Sequence, residues 1–157
     1  MPICTFFGHR ECYDLDAAVL RSTIEDLIKQ GVSEFLVGHQ GQFDAMVRSC
    51  LKALQIQYPE IRYSVVLAYL PTKKQEFADF SDTIYPEGLE TVPPRYAVSW
   101  RNRYLIHMAD ICICYVNRTY GGAYQFYRKA KSRGLTLINL GNAMLEKTRG
   151  DSSAVDG

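Results

Sequence analysis

Three short apolar runs separated by two helical stretches fill the first 68 residues, and this alternation constrains the fold more than any other feature. Residues 3–7 form one run, ended by Gly8. Residues 35–37 form a second, ended by Gly38, and residues 63–68 a third. Apolar runs this short, bounded by turns, read as buried strands. Between the first two, Leu20, Ile24, Leu27 and Ile28 share one helical stripe over residues 14–30, with Arg21, Glu25, Asp26 and Lys29 off it. Asp14 is the expected N-cap of that helix and Gly31 its stop. Phe43, Met46, Val47, Cys50, Leu51 and Leu54 mark a second amphipathic helix. Strand–helix–strand–helix–strand implies a parallel sheet covered by helices, with right-handed crossovers.

The remainder continues the pattern after an interruption. Residues 71–95 hold four of the six prolines and an acidic run, Glu76, Asp79, Asp82, Glu87 and Glu90. They read as a long connection with one short helix, a kind of segment that is usually functional or mobile. A helix is expected over 96–108, a strand over 111–116, a helix over 121–133 stopped by Gly134, and a strand over 135–140. If the first three strands wind outward in one direction, residues 70–109 carry the chain back past strand one. The expected architecture is a three-layer α/β sandwich with a parallel five-stranded sheet of order 3-2-1-4-5. Its switch point lies between strands one and four. At 157 residues the chain reads as one domain, 1–147, with a small, polar tail over 148–157 expected to be disordered. The Arg149-Gly150-Asp151 triplet in that tail reads as chance.

Composition narrows the function classes. A hydrophobic share of 47% and a charged share of 22% exclude a disordered, collagen-like or coiled-coil chain. Eighteen basic residues against seventeen acidic ones leave a net charge of +1, which gives no footprint of a nucleic-acid binder. The apolar runs are far short of the ~20 residues a membrane helix needs. The first residues lack the basic and apolar regions of a signal peptide. Five cysteines, Cys4, Cys12, Cys50, Cys112 and Cys114, form no CxxC pair and read as buried free thiols. A cytoplasmic protein is the expectation. Three scattered histidines and these cysteines do not make a metal site.

Polar and glycine residues cluster just after the expected strands: Gly8-His9-Arg10-Glu11, then Gly38-His39-Gln40-Gly41 leading to Asp44, then Asn117-Arg118-Thr119-Tyr120-Gly121-Gly122. Open α/β sheets bind ligands at these carboxyl ends, near the switch point. Gly121-Gly122 open a helix, where bare backbone and unpaired N–H groups suit an anion such as phosphate. Asp44 has two readings, a complement to its own helix or an acceptor for a ribose or base. His9 and Arg10 likewise read as structural loop residues or as ligand contacts. Residues 95–134 carry eight bases and one acid, Asp110, as solvated helix faces or as a positive wall beside the crevice. Trp100 and Tyr104 are i, i+4 neighbours and read as core before base-stacking platform.

Thr5-Phe6-Phe7-Gly8-His9-Arg10 resembles the opening strand and loop of YpsA-like proteins in the SLOG superfamily. That group unites the DprA/Smf DNA-processing domain with the LOG cytokinin-activating enzymes. Gly38-x-x-Gly41-x-x-Asp44 resembles its second glycine motif. Arg101-Asn102-x-Tyr104 with Ala109-Asp110 is similar to its late helix and strand, and Tyr120-Gly121-Gly122 to its closing motif. The resemblance covers residues 3–141. It implies a Rossmann-like domain that binds a nucleotide or nucleotide-derived ligand through Gly8, His9, Arg10, Gly38, Gly41, Asp44, Arg101, Asn102, Gly121 and Gly122. Two departures stand out: Ala123 follows the double glycine where many relatives carry Thr, and His39-Gln40 replace small residues.

The resemblance leaves three functions open. One is binding or sensing of a phosphorylated nucleotide-derived ligand, with no further cofactor implied. The second is a phosphoribohydrolase like the LOG enzymes, whose glutamate follows the double glycine. Gly121 to Gly134 contain no Asp or Glu here, so that carboxylate is absent and the balance tips to binding. The third is a DprA-like DNA-processing accessory, against which the near-neutral charge counts. A homodimer is the assembly that family analogy suggests.

Overall fold

β1 (Ile3–Gly8), β2 (Glu34–Val37), β3 (Arg62–Val66) and β5 (Ile111–Tyr115) are apolar on both faces, as strands covered by helices on either side must be. The computed structural model describes residues 2–68 and 83–141. β4 (Thr83–Ile84) and β6 (Thr136–Asn139) complete a sheet of order β4-β3-β2-β1-β5-β6, with every pairing parallel. The architecture is Rossmann-like α/β, and the five expected strands stand in their expected order.

The count of five requires correction to six. β4 is only two residues long and pairs Thr83 with Val65 and Ile84 with Val66. Two residues carry no alternation, so this strand is invisible to pattern reading inside the proline-rich connection. Among its described residues that connection holds two 3-10 turns, Leu89–Thr91 and Pro94–Tyr96. Residues 71–82 of it, and the expected tail 148–157, lie outside the described residues.

Alternating side chains feed two cores. Cys4, Phe6, Phe35, Val37, Tyr63 and Val65 pack beneath α1 (Ala17–Lys29) and α2 (Gly41–Gln57). Phe7, Leu36, Val66, Cys112 and Cys114 pack on the other face, beneath α3 (Ala97–Met108) and α4 (Gly122–Ser132). Cys112 and Cys114 share a face, as their spacing requires. All five cysteines are buried free thiols. Among the described residues, no helix is long and apolar enough to cross a membrane.

Two local expectations fail. Asp16, not Asp14, caps α1: its Oδ1 accepts the Ala18 N–H at 2.9 Å, because the loop after β1 runs two residues longer than expected. Trp100 is not in the core. Helix α3 turns Arg101, Leu105 and Ile106 inward, which leaves the indole 37% exposed on the other side.

Candidate functional site

A crevice of about 360 Å3 opens at the carboxyl ends of β1 and β2, the place that parallel topology reserves for ligands. β1 delivers Gly8, His9 and Arg10, and β2 delivers Gly38 and Gln40. Arg118 follows β5, α3 contributes Val98, Arg101, Asn102 and Leu105, and α4 contributes Gly122, Ala123 and Phe126. Asp44, in the first turn of α2, lies on the same wall. Of the residues singled out from the sequence, Gly8, His9, Arg10, Gly38, Asp44, Arg101, Asn102 and Gly122 line this space. Gly41 and Gly121 do not. Gly41 backs onto Arg10, whose carbonyl accepts the Gln42 N–H at 2.8 Å. Gly121 is the N-cap of α4, at φ 92°.

Charge is concentrated on one side of the crevice. Arg101 is buried on α3, and its Nε and Nη2 donate to Asn102 Oδ1 at 3.3 and 3.1 Å. A Cβ at Gly38 would stand 2.6 Å from both Arg101 Nη1 and Asp44 Oδ2, so only glycine lets these side chains converge over the β2 turn. Asp44 Oδ2 accepts the Gln40 N–H at 3.0 Å, and Arg48 Nη1 donates to the Gly38 carbonyl at 3.1 Å. Burial raises the Asp44 carboxyl above its ordinary range, opposed by Arg101, the Gln40 N–H and Arg48. Asp44 therefore complements its own helix and faces arginine. His39, beside the same guanidinium groups, is held down to about 4 by burial, then by Arg101.

His9 ties the two loops at the switch point. Its backbone N–H donates to the Tyr115 carbonyl at 3.3 Å, and its ring Nε2 accepts the Asn117 backbone N–H at 3.1 Å. An accepting Nε2 carries no proton, so the ring is neutral with its proton on Nδ1. Burial, then the Arg118 cation, holds its pKa below the usual histidine range. This histidine positions a loop and has no free nitrogen lone pair for base catalysis. The Cys12 thiol is raised by burial and by Asp44, which makes it a poor nucleophile.

The α4 end of the crevice is open. Nothing lies within 4 Å of where a Gly122 Cβ would stand. The first turn of α4 carries no acid, and its unpaired N–H groups face a space flanked by Arg118. Arg118 stacks on Tyr120 at 5.0 Å from the ring centroid. The lining thus presents three guanidinium groups and one carboxylate, which already faces arginine. Among the described residues, no group of three or more His, Cys, Asp or Glu is placed to hold a metal ion.

Several lining residues were missed from sequence. Val98 and Leu105 stand at i−3 and i+4 to Arg101, on its stripe of α3, so helical period alone would have found them. Arg118 stands in the polar cluster before the closing glycines and in the basic stretch, but is not among the expected ligand contacts. Gln40 lies in the second polar cluster without being singled out as a contact, and Phe126 carries no such signal.

No family model matches the chain, and no curated protein does. Among solved structures, the chain is similar to DNA processing protein A from Streptococcus pneumoniae, with a TM-score of 0.65 and 15% identity. That match covers 88% of this chain and 50% of the other. It is also similar to DNA processing protein A from Helicobacter pylori, a structure described for its single-stranded DNA binding mode. Here the TM-score is 0.64 and the identity 15%, over 94% of this chain and 73% of that one. The chain spans half the length of the Streptococcus protein. What these likenesses establish is a shared fold: a Rossmann-like parallel sheet similar to that of DNA processing protein A.

Proposed function

We propose that the crevice binds a nucleotide or nucleotide-derived phosphorylated ligand, in the manner of a YpsA-like SLOG domain, and senses it rather than cleaves it. The observation that carries this reading is the open N-terminus of α4 at Gly122, on a wall shared with Arg10, Arg101 and Arg118. Helix N–H groups and guanidinium groups together suit a phosphate. Cleavage of a base–ribose bond builds oxocarbenium-like charge and needs a placed carboxylate. α4 offers none in its first turn, and Asp44 faces arginine. A second reading, a DNA-processing accessory, draws on the fold shared with DNA processing protein A. A single-stranded phosphate backbone would use the same arginines.

The test is a thermal-shift panel of AMP, ADP, ATP, NAD, ADP-ribose, cyclic nucleotides and a cytokinin riboside monophosphate. A ligand at 100 times its Kd adds about 2.7 kcal/mol, a rise of roughly 5–10 °C for a chain of this size. Gly122→Asp places a carboxylate where the phosphate would sit, in open space and at a helix start that tolerates an acid. It is expected to abolish the shift while leaving the unliganded Tm within about 2 °C. Release of free base from the bound compound would favour the hydrolase. A steeply salt-dependent affinity for oligo-dT without any nucleotide shift would favour the DNA reading. A shift that survives Gly122→Asp would overturn the proposed phosphate position.

A further inference from the structure

A second cleft, of about 700 Å3, lies between α3, α4 and the segment after β4, and shares no lining residue with the crevice. Its walls are built by helical period. α3 presents Trp100, Arg103, Tyr104 and His107 at i, i+3, i+4 and i+7, and α4 presents Lys129 and Ser132 at i and i+3, followed by its C-cap Arg133. Buried Ile106 lines it as well, and Glu87 is the one acid of its lining.

This seam is unusual for two helices on the same sheet face, which ordinarily close against each other with apolar ridges. Here Arg103 faces a space shared with Lys129 and Arg133. Among the described residues, none of these three forms an ion pair. Like charges across a gap favour an anion between them. The only tryptophan of the chain stands exposed in the same cleft, with Tyr104 one turn further along. Exposed aromatic surface beside cations suits a planar ring that carries an acidic group, and the volume is that of a small-molecule site.

We propose that this cleft is a second ligand site, independent of the crevice, for a small aromatic anion. The ring packs on Trp100 and Tyr104, and the carboxylate or phosphate meets Arg103, Lys129 and Arg133.

Because Trp100 is the sole tryptophan, its indole N–H gives one resonance that reports this cleft. The experiment titrates the full 15N-labelled chain with phenyl phosphate. Benzyl alcohol serves as the ring without charge, and inorganic phosphate as the charge without ring. The indole peak is expected to move saturably with phenyl phosphate, with an affinity about tenfold or more above either control, about 1.4 kcal/mol. The Lys129→Gln, Arg133→Gln double variant changes two exposed side chains and is expected to weaken binding about tenfold, with its other amide peaks in place. Gly122→Asp, which alters the crevice, is expected to leave the titration unchanged. A peak that stays still, inorganic phosphate binding as well as phenyl phosphate, wild-type affinity in the double variant, or loss of binding in Gly122→Asp would each overturn the proposal.

Discussion

His39 shows how the crevice is tied to solvent conditions at the level of one side chain. Its ring is partly buried beside Arg101 and Arg48, and it titrates at about 4 in the folded protein against about 6.5 in an unfolded chain. Between those values the unfolded chain holds a proton that the folded protein does not, so stability is full above about pH 6.5 and falls as the pH drops toward 4. The loss is on the order of 2 kcal/mol after allowance for solvent screening. Urea midpoints at pH 7 and pH 4.5 should show it, and His39→Asn should flatten it; an unchanged slope in that variant would place the acid sensitivity elsewhere. His9, also held below its usual range, pulls in the same direction. Neither role is visible in the sequence. A His after a glycine looks alike whether its nitrogen meets a ligand or, as at His9, the Asn117 backbone N–H.

Helices and strands were legible where periodicity was long and continuous. The stripes of α1 and α2 and the apolar runs of β1, β2, β3 and β5 needed no tertiary information. β4 was not legible, because a two-residue strand exists only through its pairing with Val65 and Val66. Helix α3 was legible as a helix but not in its facing. Its inward stripe includes Arg101, so a hydrophobic count misplaces Trp100 in the core. The start of α1 turned on two aspartates two residues apart, which only the loop length distinguishes. Asp16→Ala should cost about 1 kcal/mol, a fall of roughly 2–4 °C in Tm, whereas Asp14→Ala should leave Tm unchanged within error. Equal losses in both variants would mean that the cap is shared.

Across the whole molecule, order should be greatest at the middle of the sheet and least at its edges. β1 has a partner on each side, β2 and β5, and cores above and below. Its amides at Phe6 and Phe7, and that of Ile113 on β5, should exchange with solvent only through global opening. Those of β4 and β6, at the sheet edges, should exchange through local fraying. Comparable protection in β6 and β1 would indicate an added partner along the β6 edge. The same central position has a consequence for how the protein is made. β1 is synthesised before the other strands of this sheet, yet Ile3 closes its hydrogen bond to Asp110, 107 residues later. At ~5–20 residues per second, the strand that organises the sheet waits roughly 5–20 seconds for its second neighbour. For most of that interval Phe7 has neither α3 nor α4 to cover it, so the nascent chain exposes apolar surface that the finished protein buries.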